Sequence, residues 1–199
     1  MLEVLFEDNH LIAVNKPSGI LVQGDKTGDT PLSDLIKSYL VEKYNKPGEA
    51  YLGVIHRLDR PTKGVVLFAK TSKALTRMNK AFADRTPSKK YWAIVSGEIK
   101  NDSFRLEHWL LRKPANNKSY AHDKEVNGSK KAILTAKRLD SSNNYHLLEI
   151  ELETGRHHQI RSQLSKIGLP IKGDLKYGSK RSNTDGGIDL LAKSLNFTH

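Results

Sequence analysis

The segment YHLLEIELE, residues 145–153, constrains the fold of this chain more than any other stretch. Leu148, Ile150 and Leu152 alternate there with three glutamates. Successive side chains of a strand point to opposite faces of its sheet, so the alternation predicts a strand with one face in the core and the other in water. The chain is therefore expected to contain a sheet that is covered on one side.

Further strands and three helices are predicted around this segment. The other predicted strands are VLFED, HLIAVNKP, the run 64–69, KKYWAIVSGEI and KKAILTAKRL, and the basic segment 112–131 is predicted to be an exposed hairpin or loop. Irregular interleaving of strands and helices favours an α+β fold with a mixed sheet.

The predicted helices have start signals and apolar stripes. The first begins after Asp29 or Thr30 as the cap, with Pro31 at its first helical position. Ser72 is the predicted cap of the second helix, and the third follows Gly155. The stripes are Leu32, Leu35, Ile36, Tyr39 and Leu40 in the first helix, Leu75, Met78 and Phe82 in the second, and Ile160, Leu164 and Ile167 in the third.

The charge of the chain indicates a polyanionic partner. Its 199 residues fit one domain or two closely packed halves, and they carry 33 Lys and Arg against 22 Asp and Glu, a formal net charge of +11. Nucleic acid is the leading candidate, an anionic membrane surface is second, and a merely basic surface is the alternative to both.

Cysteine is absent from the sequence, which removes disulfides and thiolate metal ligands. No stretch reaches the apolar length of a membrane span, and the first ten residues lack the layout of a signal peptide. We therefore expect a cytoplasmic protein.

Asp59 is the first candidate for a chemical role. It lies in VIHRLDRPTKGVVLFAK, among Arg57, Arg60 and Lys63, directly before an apolar run that predicts a buried strand. We expect the carboxylate at the rim of a cleft, where nearby arginines keep it ionised. It could then act as a nucleophile, as a base or as a partner for a developing cation. A loop aspartate that makes only local hydrogen bonds is the alternative.

Arg161 is the second candidate. In TGRHHQIRSQL it falls at the edge of the apolar face of a predicted helix, so we expect it to be half-buried with its guanidinium in a cleft. A phosphate contact at the helix start is the alternative. A metal site at His157 and His158 is disfavoured, because adjacent residues on a helix point about 100° apart and no companion ligands have recognisable spacing.

Tyr91, in KKYWAIVSG, is the third candidate. On a strand it shares a face with Ala93 and Val95, which favours core packing. At the strand's edge its ring could instead stack on a base.

Four ordered motifs resemble one enzyme family. They are NKPSG at 15–19, HRLDRPTKGVVLFAK at 56–70, KKYWAIVSG at 89–97 and the run from Thr154 to Gly178. Together they resemble the pseudouridine synthases that modify ribosomal large-subunit RNA and some tRNAs. The resemblance implies a largely antiparallel central sheet with flanking helices and a basic active-site cleft. It also implies isomerisation of a specific uridine to pseudouridine without a cofactor or a metal.

The resemblance also assigns roles to residues. Asp59 matches the catalytic aspartate, which either attacks C1′ to form a covalent intermediate or removes the 2′ proton to form a glycal. Arg161 matches the arginine that pairs with this aspartate, Tyr91 the tyrosine that stacks on the uracil, and Arg57 the residue that holds the RNA helix open while the nucleotide is flipped. Two residues depart from the family pattern, Lys63 in place of serine and Gln23 in place of histidine.

Residues 1–199 are expected to form a single catalytic domain, without an additional N-terminal RNA-binding module and truncated at its C-terminal end. The expected partner is rRNA or tRNA, and the expected state is a monomer away from membranes. Two rival hypotheses remain, a non-catalytic RNA-binding protein and a glycosidase-like hydrolase with Asp174 as its second acid. A role at a membrane surface is disfavoured because no basic amphipathic helix has an aromatic face.

Overall fold

The computed structural model describes residues 2–25 and 27–199. The chain divides into two compact units, a first unit of Met1–Pro87 with Phe197–His199 and a second unit of Ser88–Asn196. Within the described residues, no helix has the length and apolar character needed to cross a membrane.

The first unit is a small antiparallel sheet with two helices. Its strands are β1 (Glu3–Glu7), β2 (Leu11–Lys16), β3 (Gly53–Val54) and β4 (Lys63–Ala69), and its helices are α1 (Leu32–Lys43) and α2 (Ser72–Ala83). The strand β2 lies between β1 and β4, and β3 pairs with the end of β4. Ile12, Ile36 and Phe68 are fully buried in its core. The predicted buried strand at 64–69 is therefore confirmed.

The start of α1 differs from the prediction. Pro31 is itself the cap residue, and no side chain caps the helix. The backbone N–H groups of Leu32 and Ser33 donate instead to the carbonyls of residues 21 and 22, at 2.7 and 3.1 Å. These donors therefore need no side-chain cap. Asp29, one of the two predicted caps, instead forms an ion pair with Arg60 at 2.8 Å.

Two further details of the predicted helices of this unit are corrected. The side chain of Thr71, not Ser72, caps α2 by accepting from the N–H of Ala74 at 3.1 Å. In α1 the stripe is narrower than predicted, because Leu35 is 41% exposed whereas Leu32 and Ile36 are buried.

The second unit is built on a larger antiparallel sheet. Its strands are β5 (Ser88–Val95), β6 (Ser103–Lys113), β7 (Lys118–His122), β8 (Lys130–Ser141), β9 (His146–Leu152) and β10 (Leu190–Asn196). Their order across the sheet is β10-β5-β9-β8-β6-β7, and each of these pairings is antiparallel. The helix α3 (Gln159–Lys166) follows β9. The α+β class and the largely antiparallel arrangement are confirmed.

The alternation in β9 has the predicted effect. Leu148 and Ile150 are fully buried, whereas Glu149 and Glu151 form ion pairs with Lys90. The basic segment 112–131 contains β7, which forms a hairpin with β6 through the turn Pro114–Asn116.

The helix α3 is shorter than the pattern indicates. Ile160 and Leu164 are buried as predicted, but Ile167 caps the C-terminus and is 39% exposed.

Candidate active site

Lys16, the last residue of β2, anchors the loop that carries Asp59. Its side chain is completely buried, and its ammonium group donates to the carbonyls of Pro17, Arg60 and Thr62 at 2.9, 3.0 and 2.8 Å. An ammonium group has three donors, so these three carbonyls match its full capacity. Two of them lie one and three residues after Asp59, and the lysine therefore holds the backbone beside the carboxylate.

Hydrogen bonds within the loop complete this anchorage. The N–H of Thr62 donates to the carbonyl of Asp59 at 3.0 Å, and the N–H of Gly19 donates to the carbonyl of Arg60 at 2.9 Å. The Arg60 side chain returns a bond of 2.9 Å to the carbonyl of Gly19. Gly19 has a φ of +85°, in the region that favours glycine, so the NKPSG motif forms a turn that docks on the aspartate loop.

Burial lowers the pKa of Lys16 from 10.5 to about 8, although the nearby negative charge of Asp59 acts in the opposite direction. The lysine therefore still carries its proton at pH 7. Asp59 itself is half-buried. A half-buried carboxylate near a buried cation, on a backbone that is held in place, is suited to chemistry at the edge of the protein.

The neighbours of Asp59 in the motif have different positions. Arg57 is exposed and Lys63 is half-buried. His56 accepts a hydrogen bond from the N–H of Leu67 at Nε2, at 3.1 Å, and its ring stacks on Phe82 with the centroids 5.2 Å apart. His56 therefore ties the motif to β4, whereas the Arg57 side chain is exposed to solvent.

Arg161, in the second unit, is held by a second carboxylate. Its Nε and Nη2 donate to the two oxygens of Asp174 at 2.7 and 2.9 Å, and its guanidinium lies 4.9 Å from the centre of the Tyr177 ring. The exposed fractions of Arg161 and Asp174 are 5% and 1%. Arg161 is thus more buried than predicted, because the pairing with Asp174 compensates its charge. Its pairing with Asp59 remains a prediction.

Asp174 has a different environment from the second acid of a hydrolase. A catalytic acid of that kind flanks the sugar and exchanges protons with it, whereas Asp174 is buried and engaged in a two-pronged ion pair. The sequence indicated Asp174 only as a candidate acid. Its actual partner lies 13 residues away along the chain, and no local pattern reveals such a pair.

Tyr91 lies on the buried face of β5. It is 9% exposed, and Ala93 and Val95 on the same face are fully buried. Lys89, the preceding residue on this face, is half-buried, and burial lowers its pKa.

The two adjacent histidines do not diverge as predicted. His158 has a φ of +51° and precedes α3, so the spacing of a helix does not apply, and the two rings stack with centroids 3.8 Å apart. Burial, together with the positive charge of Arg161, lowers the pKa of His158 to about 2, which keeps it neutral. Among the described residues, no three His, Asp or Glu side chains are grouped to hold a metal ion.

Cations gather on the hairpin of β6 and β7, which we call the basic hairpin (residues 103–122). The Lys113 and Lys118 ammonium groups lie 5.0 and 5.5 Å from the centre of the Tyr120 ring, and Arg112 contacts Asn117. Cations around an aromatic ring can meet both the phosphates and the bases of a nucleic acid.

Comparisons with known proteins agree with these motifs. The chain is 33% identical over 193 residues to ribosomal large subunit pseudouridine synthase D of Zymomonas mobilis, covering 96% of the chain and 60% of that protein. It is 33% identical over 204 residues to the dual-specificity RNA pseudouridine synthase of Vibrio vulnificus, covering 99% of the chain and 78% of that protein. Several bacterial relatives are longer, and the chain spans 60 to 65% of their lengths.

The fold has a close counterpart among solved structures. Human RNA pseudouridylate synthase domain containing 4 matches with a TM-score of 0.81 and 23% identity, over 97% of this chain and 83% of that one. The family model described as RNA pseudouridylate synthase matches residues 10–166, which include the Asp59 loop, Tyr91 and Arg161. The chain therefore belongs to the RNA pseudouridylate synthase family.

Proposed function

We propose that this protein converts a specific uridine of structured RNA, in rRNA or tRNA, into pseudouridine. The observation that carries the proposal is the Asp59 loop, which a fully buried lysine holds through three backbone carbonyls. Such anchorage suits a carboxylate that must meet a ribose in one orientation. The names of the relatives, ribosomal large subunit and dual-specificity synthases, favour rRNA or tRNA as the substrate.

The reaction rearranges atoms without net gain or loss. The bond between N1 of uracil and C1′ of ribose breaks, the base turns, and C5 bonds to C1′. The hydrogen on C5 is lost and N1 gains one, so the reaction consumes no electrons and no second substrate. Asp59 either forms a bond to C1′ or takes the 2′ proton, and either route needs the ionised carboxylate.

The other candidate residues have supporting roles in this proposal. Arg57 is exposed next to Asp59 and can enter the RNA in place of the flipped nucleotide. Tyr91 stacks on the uracil, and Arg161 orients the carboxylate of Asp59. The fixed plane of the Arg161 guanidinium favours a directed hydrogen bond over a diffuse electrostatic effect.

RNA binds through phosphates in this proposal. The formal net charge is +11, and Lys113 and Lys118 surround an aromatic ring on the basic hairpin. Flipping a nucleotide costs a few kcal/mol, least in a loop, so structured loops are favoured as targets. The protein acts as a monomer in the cytoplasm, without a cofactor.

The proposal is tested with Asp59→Asn. The substrate is cellular RNA labelled with tritium at C5 of uridine, taken from cells that lack the gene, and tritium release reports loss of the C5 hydrogen. We expect Asp59→Asn to be folded and inactive. Asp84→Asn is the matched control, because Asp84 is an exposed aspartate of the same unit that pairs with Lys80, and it should release tritium as the wild type does.

Three outcomes count against the proposal. Full activity of a folded Asp59→Asn variant contradicts the role of Asp59. RNA binding without tritium release by the wild type favours a non-catalytic RNA-binding protein. Uracil released into solution favours a hydrolase.

A further inference from the structure

The turn Asp174–Tyr177 contacts two parts of the second unit that the proposed function uses separately. At one end, Asp174 accepts two hydrogen bonds from Arg161. At the other end, Tyr177 contacts Ser119 of the basic hairpin. One short turn therefore touches both the proposed orienting arginine and the proposed RNA-binding element.

The Tyr177 hydroxyl lies at the centre of this contact. It accepts a hydrogen bond from the backbone N–H of Ser119 at 2.8 Å, and it lies 2.9 Å from Nδ1 of His158. The exposed fractions of Tyr177, Ser119 and His158 are 3%, 2% and 7%. Because His158 is neutral, its Nδ1 can accept a hydrogen bond from the Tyr177 hydroxyl while the hydroxyl oxygen accepts one from the N–H of Ser119. Both bonds can thus form at the same time, between three residues that are almost fully buried.

The Tyr177 ring adds contacts on its faces. The Arg161 guanidinium lies 4.9 Å from the ring centre, and the Lys118 ammonium group lies 5.0 Å from it. The neighbouring Lys176 donates to the carbonyls of Asn116 and Asn117 at 3.3 Å each. The hairpin end is therefore held to the turn by a buried hydroxyl contact and by a more exposed lysine.

We propose that Tyr177 is a positioning residue that keeps the basic hairpin in a fixed position relative to Arg161. Buried polar contacts of this kind have few alternative geometries, because a displaced hairpin would leave the Ser119 N–H without an acceptor. RNA held on the hairpin would then reach Arg161 in one orientation. The placement of RNA on the hairpin rests on the proposed function, whereas the link between the hairpin and Arg161 through Tyr177 does not.

Loss of the Tyr177 link is expected to affect RNA affinity and the reaction rate differently. Phosphate contacts of the hairpin do not depend on its alignment with Arg161, so the affinity for RNA should change little when the link is lost. The rate on bound RNA depends on alignment, since small displacements of reacting groups slow a reaction strongly.

The first experiment compares Tyr177→Phe with Tyr44→Phe. Both remove a hydroxyl that makes a hydrogen bond of 2.7 to 2.8 Å, with Ser119 in one case and with Glu7 of the first unit in the other. Tritium release from the labelled RNA is measured in single turnover at saturating protein. The temperature is kept well below the midpoint of thermal unfolding of each variant. For Tyr177→Phe we expect a rate roughly tenfold lower with a Kd within about threefold of wild type, and for Tyr44→Phe an unchanged rate. A wild-type rate for Tyr177→Phe, or an equal fall for both variants, overturns the proposal.

The second experiment needs no activity. Hydrogen exchange of the Ser119 amide and of the Arg161 Nε–H is followed by NMR in the wild type and in Tyr177→Phe. We expect both sites to exchange faster in the variant. Faster exchange at Ser119 with no change at Arg161 refutes the link, even if the wild type proves inactive on RNA and the proposed function fails.

Discussion

Glu7, the last residue of β1, offers a direct test of the electrostatics of the first unit. Its side chain is 6% exposed, and its two oxygens accept hydrogen bonds from two lysines and two tyrosines. Lys43 and Lys70 donate at 2.7 and 2.6 Å, and Tyr39 and Tyr44 at 2.9 and 2.7 Å. Burial opposes ionisation, but the four hydrogen bonds together outweigh it and lower the pKa of Glu7 from 4.5 to about 2.

The expected effect of Glu7→Gln follows from this pKa. A fall from 4.5 to about 2 corresponds to about 3 kcal/mol of stability, at 1.36 kcal/mol for each pH unit. The Lys43 side chain is 44% exposed, so solvent screens part of the interaction, and we expect a loss of about 2 kcal/mol at neutral pH. A lowered carboxylate pKa gives stability that is complete above pH 4.5 and is lost as the pH falls to about 2.

Urea unfolding of the wild type and of Glu7→Gln, from about pH 7 down to about pH 3, measures this difference. We expect a constant difference in the free energy of unfolding down to about pH 5 and a decline below it. Glu42→Gln, an exposed glutamate of α1, is the control, and it should change stability by less than about 0.5 kcal/mol. A difference for Glu7→Gln that does not vary with pH would refute the electrostatic reasoning and leave a packing defect as the cause.

Three further predictions concern the proposed site. The logarithm of RNA affinity should fall linearly with the logarithm of the salt concentration. The slope should steepen by roughly 0.9 for each phosphate neutralised in a duplex and by roughly 0.7 for each one in a single strand. A slope near zero in filter binding would exclude the basic surface as the RNA interface. Arg161→Lys should lower turnover strongly with little change in RNA affinity, because an ammonium group cannot reproduce the two-pronged contact with Asp174; collapse of affinity with normal turnover on bound RNA would make Arg161 a phosphate contact. Relative to Lys16→Met, the wild type should gain stability as the pH rises from about 8 to 10.5, because in this range the unfolded chain still binds the Lys16 proton and the folded protein has lost it. A difference between the two urea midpoints that stays constant across this range would contradict the lowered pKa.

Strands and helices could be predicted where backbone geometry alone creates the pattern. The alternation in 148–153 and the apolar run 64–69 each correspond to a strand, because both patterns follow from which faces of a strand are buried. Helix ends were less predictable. The start of α1 depends on carbonyls of residues 21 and 22, which a loop brings to the helix, and no side chain near Pro31 signals them.

The candidate site shows the same division. Asp59 and Arg161 stand out by residue type and neighbourhood, whereas Asp174 becomes the partner of Arg161 only through the fold. The histidine pair was misjudged because helix geometry was applied to His157 and His158, which both precede α3, and His158 has a positive φ. Lys16 was visible as part of a motif, but its role is clear only from the three carbonyls around its ammonium group.

The formal charge of +11 overstates the positive charge that the proposed RNA substrate would meet at the surface, because several cations make contacts inside the protein. Lys16 donates hydrogen bonds to backbone carbonyls, Lys70 forms an ion pair with Glu7, and Arg161 forms one with Asp174. Each is buried or nearly so, and each holds a loop, a strand or a turn in place. In the proposed function, phosphate binding then depends on surface cations of the basic hairpin such as Lys113, which is exposed, and Lys118, which is half-buried. Neutralising either of these should reduce the salt dependence of binding by about one phosphate, whereas neutralising a buried cation should alter stability or rate and leave that slope unchanged.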